Sequence, residues 1–184
     1  LKRLVLCSVL LVSLVGCSSE KSAQPQPQKP PQAQVEASTI PKAEKLPDKQ
    51  LIEKIKAEIG GRPFVDNVKI ENNTLTITYK EDKKDLKLYN EYWGTGDAIT
   101  KNLMSNPPRY LRVSDSFNKV HIEVPFQGKK YTVTITRTEV EHYFGVKLSE
   151  VTENNAWISK IIDPFVYNKE KRAEYAKQFI KITP

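Results

Sequence analysis

From residue 49 onward the apolar side chains recur with two distinct periods. In KQLIEKIKAEIGG, residues 49–61, Leu51, Ile52, Ile55 and Ile59 fall three and four apart, the spacing of one helix face. Asp48 behind Pro47 supplies an N-cap and Gly60 a C-cap, so the stretch carries both a start and a stop. In VKIENNTLTITYK, residues 68–80, the period drops to strict alternation. A two-residue turn at Asn72-Asn73, both at positive φ, pairs Ile70 with Leu75 and Val68 with Ile77 on one face. Lys69, Glu71, Thr74, Thr76 and Thr78 then fall on the other face. Turn and alternation are independent signals, and they agree.

VHIEVPFQGKKYTVTITR, residues 120–137, alternates in the same way. A loop at Gly128-Lys129 predicts pairs Phe126 with Tyr131, Val124 with Val133, and Ile122 with Ile135. The opposite face carries His121, Glu123, Thr132, Thr134 and Thr136. Each hairpin thus has one oily side and one threonine-rich side, the pattern of an antiparallel sheet covered on one face only.

The connecting segments read less uniquely. Leu86 and Leu88 fit a further strand, turning at Asp82-Lys83 and placing Leu86 opposite Tyr79; they equally fit the start of a helix bearing Tyr89, Tyr92 and Trp93. Thr95-Gly96-Asp97 predicts a helix start, with Asp97 as cap and Ile99, Leu103 and Met104 inward. Asn106-Pro107 is expected to end that helix and to open a short one through Tyr110 and Phe117. Thr138 is expected to cap a helix with Val140, Tyr143 and Phe144 inward, stopped at Gly145, and Asp163-Pro164 to open a last helix towards Ile180. The fold class expected is α+β: a small antiparallel sheet of two hairpins, four or five strands, with helices packed on one face. The order helix, hairpin, helix, hairpin, helices suggests a duplication of shape, without a residue-level repeat.

The first 48 residues follow neither period. Lys2 and Arg3 precede the apolar run LVLCSVLLVSLVG, residues 4–16, which is too short to cross a bilayer but matches the core of a secretion signal. The run ends in Leu14-Val15-Gly16-Cys17, and Ser18 follows. These residues resemble the lipobox of bacterial lipoproteins. The resemblance covers about the first twenty residues and implies cleavage before Cys17, a diacylglyceryl group on its sulfur, and an extracytoplasmic, membrane-anchored protein. In that family an aspartate after the cysteine can hold the protein at the inner membrane; Ser18 departs from this, leaving cell membrane and outer membrane both open. Since the chain opens with Leu1, a non-standard start codon or a start slightly upstream is expected. Two or three acyl chains, each methylene contributing about 0.8 kcal/mol, hold a protein stably on a membrane.

Residues 18–48 contain six prolines and no aromatic residue, with glutamines clustered between Gln24 and Gln34. Such a composition buries too little surface to offset its ordering entropy and predicts a disordered tether. Extended at ~3.1 Å per residue it spans at most about 95 Å. The domain organisation expected is a signal peptide over 1–16, a lipidated cysteine and tether over 17–48, and one globular domain over 49–184.

The whole chain of 184 residues carries a formal charge of +7. The folded part holds 23 basic and 18 acidic side chains, a net +5. This excess favours anionic surfaces, but it is not the dense basic stripe with interleaved aromatics of a nucleic-acid binder, and no nucleic-acid partner is expected. Cys7 and Cys17 both lie ahead of the domain, which excludes a disulfide framework, a thiolate metal site and a cysteine nucleophile within it.

The group nearest to an acid–base or metal site is His121, Glu123, Glu139, Glu141 and His142. A zinc site needs three or more converging ligands, whereas here two residues share a strand face and the rest lie on a helix, so solvated faces are the simpler reading. Tyr92 and Trp93 precede Gly94-Thr95-Gly96-Asp97, which lacks the later glycine and lysine of a phosphate loop; the pair either fills the core or lines a pocket. The threonine-rich face with His121, Glu123, Thr132, Thr134 and Thr136 is a candidate binding platform. The last helix, rich in lysine, either rests on anionic headgroups or leaves its lysines in water. No nucleophile motif is present and no cofactor is called for. The expected function is a lipid-anchored, non-enzymatic envelope module that binds an anionic or other envelope component. The contrasting expectation is a weak hydrolase or metal-dependent enzyme using His121, Glu123 and His142, and a third is a structural spacer.

Overall fold

The computed structural model describes residues 48–184; the signal-like segment, Cys17 and the tether up to residue 47 lie outside the described residues. Helix α1, Asp48–Glu58, buries Leu51 and Ile55 along the stripe read from the sequence. The chain then turns at Gly60-Gly61. The left-handed residue is Gly61 (φ 71°) rather than the expected cap Gly60, whose role is close approach: a Cβ there would lie 2.7 Å from Asn102 Oδ1. A 3-10 turn at Arg62–Phe64 leads into the first hairpin.

Strands β1, Val65–Glu71, and β2, Thr74–Tyr79, pair as expected, Ile70 with Leu75 and Val68 with Ile77, around Asn72 and Asn73 at φ 48° and 60°. The next segment resolves as helix α2, Leu86–Gly94, and not as a strand. The Asp85 carboxylate accepts from the Leu88 N–H at 3.0 Å, satisfying an otherwise orphaned donor at the helix start.

Helix α3, Ala98–Leu111, differs from expectation by running through Pro107 and Pro108 without a break. Pro107 has no N–H to offer the Leu103 carbonyl four residues earlier. The Tyr175 hydroxyl donates to that carbonyl instead, at 3.0 Å in the buried interior. A side chain from the far end of the sequence thus completes the helix. Asp97 stands at the N-cap position in the left-handed region (φ 62°), but its carboxylate does not cap; it accepts from Arg172 Nε at 2.8 Å.

Strands β3, Lys119–Phe126, and β4, Lys129–Thr136, form the second hairpin two residues out of the expected register. The turn is Gln127-Gly128, both at positive φ, and the pairs are Val124 with Tyr131, Ile122 with Val133, and Val120 with Ile135. A slip of two preserves side-chain parity, so the division into two faces stands. The helix that follows, α4, Arg137–Phe144, is capped by Thr136 rather than Thr138, through a capping box in which the Glu139 side chain returns to the Thr136 N–H at 2.7 Å.

Beyond a 3-10 turn at Leu148–Glu150, the chain forms α5, Asn154–Trp157, a π-helical segment over Ile158–Val166, and α6, Lys169–Phe179. Pro164 therefore lies inside a wound segment instead of opening the last helix. That helix is capped by Asn168, whose side chain accepts from the Glu170 and Lys171 N–H groups. Its end then extends as β5, Ile180–Thr183, the fifth strand.

The fold is α+β, with a five-stranded sheet in the order β1-β2-β3-β4-β5. The two hairpins meet through a parallel pairing of β2 with β3, so the sheet is mostly and not wholly antiparallel. Parallel neighbours require a crossover, which α2 and α3 supply. Leu75, Ile77, Val120, Ile122, Val133 and Ile135 are fully buried on the helix-covered face. Each contributes roughly 1.5–3 kcal/mol by leaving water.

Candidate functional site

Strand pairing arranges the other face of the sheet in rows. One row reads Glu71, Thr74, Lys119, Thr136; the next Lys69, Thr76, His121, Thr134; the third Asn67, Thr78, Glu123, Thr132, Lys181. Threonine hydroxyls therefore alternate with charged or other polar side chains across the strands, on a surface the helices leave uncovered. Four lysines (Lys69, Lys119, Lys130, Lys181) stand against two glutamates, a local net charge of +2. Lys69 bridges Glu71 at 2.8 Å and Lys130 bridges Glu123 at 3.0 Å. Lys119 and Lys181 make no ion pair among the described residues.

His121 lies at the centre of this face, its Nδ1 2.7 Å from the Thr134 hydroxyl. Partial desolvation pushes its pKa down, helped by the Lys130 charge and opposed by Glu123. The neutral imidazole is the form this environment favours. Thr132, Thr134 and Thr136 all lie on this face, but Thr136 is also committed to the α4 cap.

The structure does not assemble the five-residue group into one site. Glu139 closes the capping box, where hydrogen bonds from Thr136 hold its carboxyl below the usual carboxylate range. Glu141 accepts from Lys147 Nζ and the Leu148 N–H, both at 3.0 Å. His142 is exposed and lines a shallow cleft with Thr138, Glu141, Lys147 and Glu150, a lining that includes neither His121 nor Glu123. Among the described residues no three His, Cys, Asp or Glu side chains come together as a metal-ligand set.

Trp93 is buried, and Tyr92 partly so. Trp93 packs edge-to-face on Tyr79 (5.0 Å between centroids) and on Tyr92 (4.8 Å). These rings enclose the Gly60-Gly61 turn, where a Cβ on Gly61 would lie 3.0–3.2 Å from all three, and the Tyr79 hydroxyl donates to the Gly60 carbonyl at 2.7 Å. Burial pushes the Tyr79 phenol far above its ordinary value. Of the two roles read from the sequence, packing is the one Trp93 fulfils.

A second site has no counterpart in the sequence reading. Lys101, Asn102, Ser105, Asn106 and Arg109 form a polar stripe along α3 that faces the end of α1 and the π-helical segment across a cleft of about 230 Å³. Glu58 and Gly60 form one wall, Ile162 and Val166 another, and Tyr167 stands at the rim. Asn106 is 3% exposed and Ser105 9%. Expecting α3 to stop at Asn106-Pro107 split this stripe between two helices. The signal available was the i, i+4, i+8 recurrence of Lys101, Ser105 and Arg109 through the prolines.

Comparison with family models, curated proteins and solved structures finds no match to this chain, so its own geometry carries the functional reading.

Proposed function

We propose that this protein is a lipid-anchored, non-enzymatic binding module of the bacterial envelope, presenting the open face of its sheet to an anionic polysaccharide. The observation that carries the reading is the uncovered lattice of hydroxyls and lysines, with a surplus of two positive charges. Threonine hydroxyls donate and accept hydrogen bonds at fixed strand spacing, and lysines supply point charges for carboxylates along a chain. The Leu-Val-Gly-Cys resemblance supplies the anchor at Cys17, and the proline- and glutamine-rich stretch supplies the reach.

Two measurements test it. Intact-mass analysis of the membrane-extracted protein is expected to show the chain beginning at Cys17 with added acyl mass; an unmodified thiol there would remove the anchor. Titrating the full chain in detergent with polygalacturonate is expected to shift amide signals along β2, β3 and β4, with affinity falling as salt rises. Shifts confined to the helices would overturn the assignment of the face.

A further inference from the structure

The cleft beside α3 is unusual in what it leaves unsatisfied. A helix stripe turned towards neighbouring elements is ordinarily apolar; this one carries two cations, two amides and a hydroxyl. The Arg109 Nε is buried without a hydrogen-bond partner. Neither Lys101, Arg109 nor Glu58 enters an ion pair among the described residues. Asn102 spends its amide on the Ala98 carbonyl, and Asn106 donates to Asn102 Oδ1 at 3.3 Å. Buried polar groups in folded proteins are nearly always paired, and a guanidinium nitrogen left unpaired beside a polar cavity points to something that completes the group.

The walls support the same conclusion. Ile162 and Val166 come from the π-helical segment, a rare conformation that recurs at functional sites. Its end is fixed from behind: Arg172 Nη1 donates to the Val166 carbonyl at 2.8 Å while its Nε holds Asp97. Arg109 is seated 5.9 Å from the Trp157 ring centroid, and its neighbour Arg112 is tied to the Val151 and Thr152 carbonyls. The cleft is thus built on braced elements and not on a loop.

We propose that this cleft binds a single acidic sugar unit, a polyhydroxylated ring bearing one carboxylate. Arg109 and Lys101 take the carboxylate, the Asn106 carbonyl and the Glu58 carboxylate accept from ring hydroxyls, and the Tyr167 ring stacks on the sugar's apolar face. One acid opposing two cations leaves a single positive charge to match, which suits a monoanion and disfavours a phosphate dianion beside Glu58. The volume lies below the roughly 300 Å³ at which drug-sized pockets begin, so one ring fits and an oligosaccharide does not. The site is separate from the open sheet face and stands whether or not that face binds polymer.

The test is an NMR titration of the full chain in detergent with glucuronate, and with glucose and inorganic phosphate as comparison arms. Glucuronate is expected to shift amide signals of residues 101–109 and Tyr167, with glucose at least tenfold weaker. Lys101→Gln and Tyr167→Ala approach from the rim and leave the fold intact; each is expected to weaken glucuronate severalfold with an unchanged melting temperature. Asn106→Asp, which places a carboxylate one helical turn from Arg109, is expected to weaken it at least tenfold. Equal affinity for glucose, tighter binding of phosphate than of glucuronate, or no shift at the cleft would each overturn the proposal.

Discussion

The two faces of the sheet are made by the same strands yet obey opposite rules. On the covered face, side chains from β2, β3 and β4 are shut away from water, and β3 and β4 pack against α3, α4 and α6. On the open face, threonines and charges, two lysines paired and two not among the described residues, remain in contact with solvent. The difference teaches where stability resides: the first face sets the fold, and the second, apart from Thr136 in the α4 cap, tolerates changes of chemistry at little cost to it.

The largest effect should come from the covered face. Ile122→Ala removes a fully buried side chain beside Val133 and is expected to cost about 2–5 kcal/mol in denaturant unfolding. Thr134→Ala, on the strand next to it but on the open face, is expected to change stability by no more than about 0.5 kcal/mol. Comparable losses at both positions would erase the contrast.

Next in size is the bond that completes α3. Tyr175→Phe keeps the ring in place but leaves the Leu103 carbonyl without a donor, and is expected to cost about 1–3 kcal/mol. The same substitution at Tyr167, which is exposed, should be neutral.

A smaller effect sits at the first hairpin turn. Asn73 holds φ 60°, a region that asparagine tolerates and β-branched residues resist. Asn73→Gly is expected to be neutral or slightly stabilising, and Asn73→Val to cost about 1–2 kcal/mol by thermal melting.

The smallest is the pH dependence of the open face. The folded His121 pKa lies below its unfolded value of 6.5, so the unfolded chain binds the proton more readily. The neutral imidazole's contribution to stability is complete above about pH 6.5 and is lost as pH falls through the folded value. The melting temperature of His121→Gln is therefore expected to fall less between pH 7.5 and pH 5 than that of the parent protein.

The contrast between faces was legible in the sequence because alternation encodes it directly. Even the second hairpin, misplaced by two residues, kept every side chain on its proper side; Gln127 at φ 51° took a turn position that glycine-first reasoning had assigned to Gly128-Lys129. The parallel join of β2 to β3 was not legible, since local pattern says nothing of which strands meet after a long crossover. Helix α3 was misread for a related reason. Proline stops a helix unless a distant group compensates, and the compensating Tyr175 hydroxyl is 72 residues from the carbonyl it serves. Stopping α3 at Asn106 divided the polar cleft between two elements, whereas Trp93 and His121 stood out as candidates because a bulky ring and an imidazole announce themselves singly.

The most direct test of the proposed binding face is charge reversal in two places. In the full chain, Lys119→Glu with Lys181→Glu alters two open-face lysines that have no ion partner among the described residues, and Lys169→Glu with Lys177→Glu makes the same net change on α6. Polygalacturonate affinity at moderate salt is expected to fall at least tenfold for the sheet pair and to stay within about twofold for the helix pair. Equal losses from both pairs would mean that net charge alone drives association, and the open face would have no claim to the role.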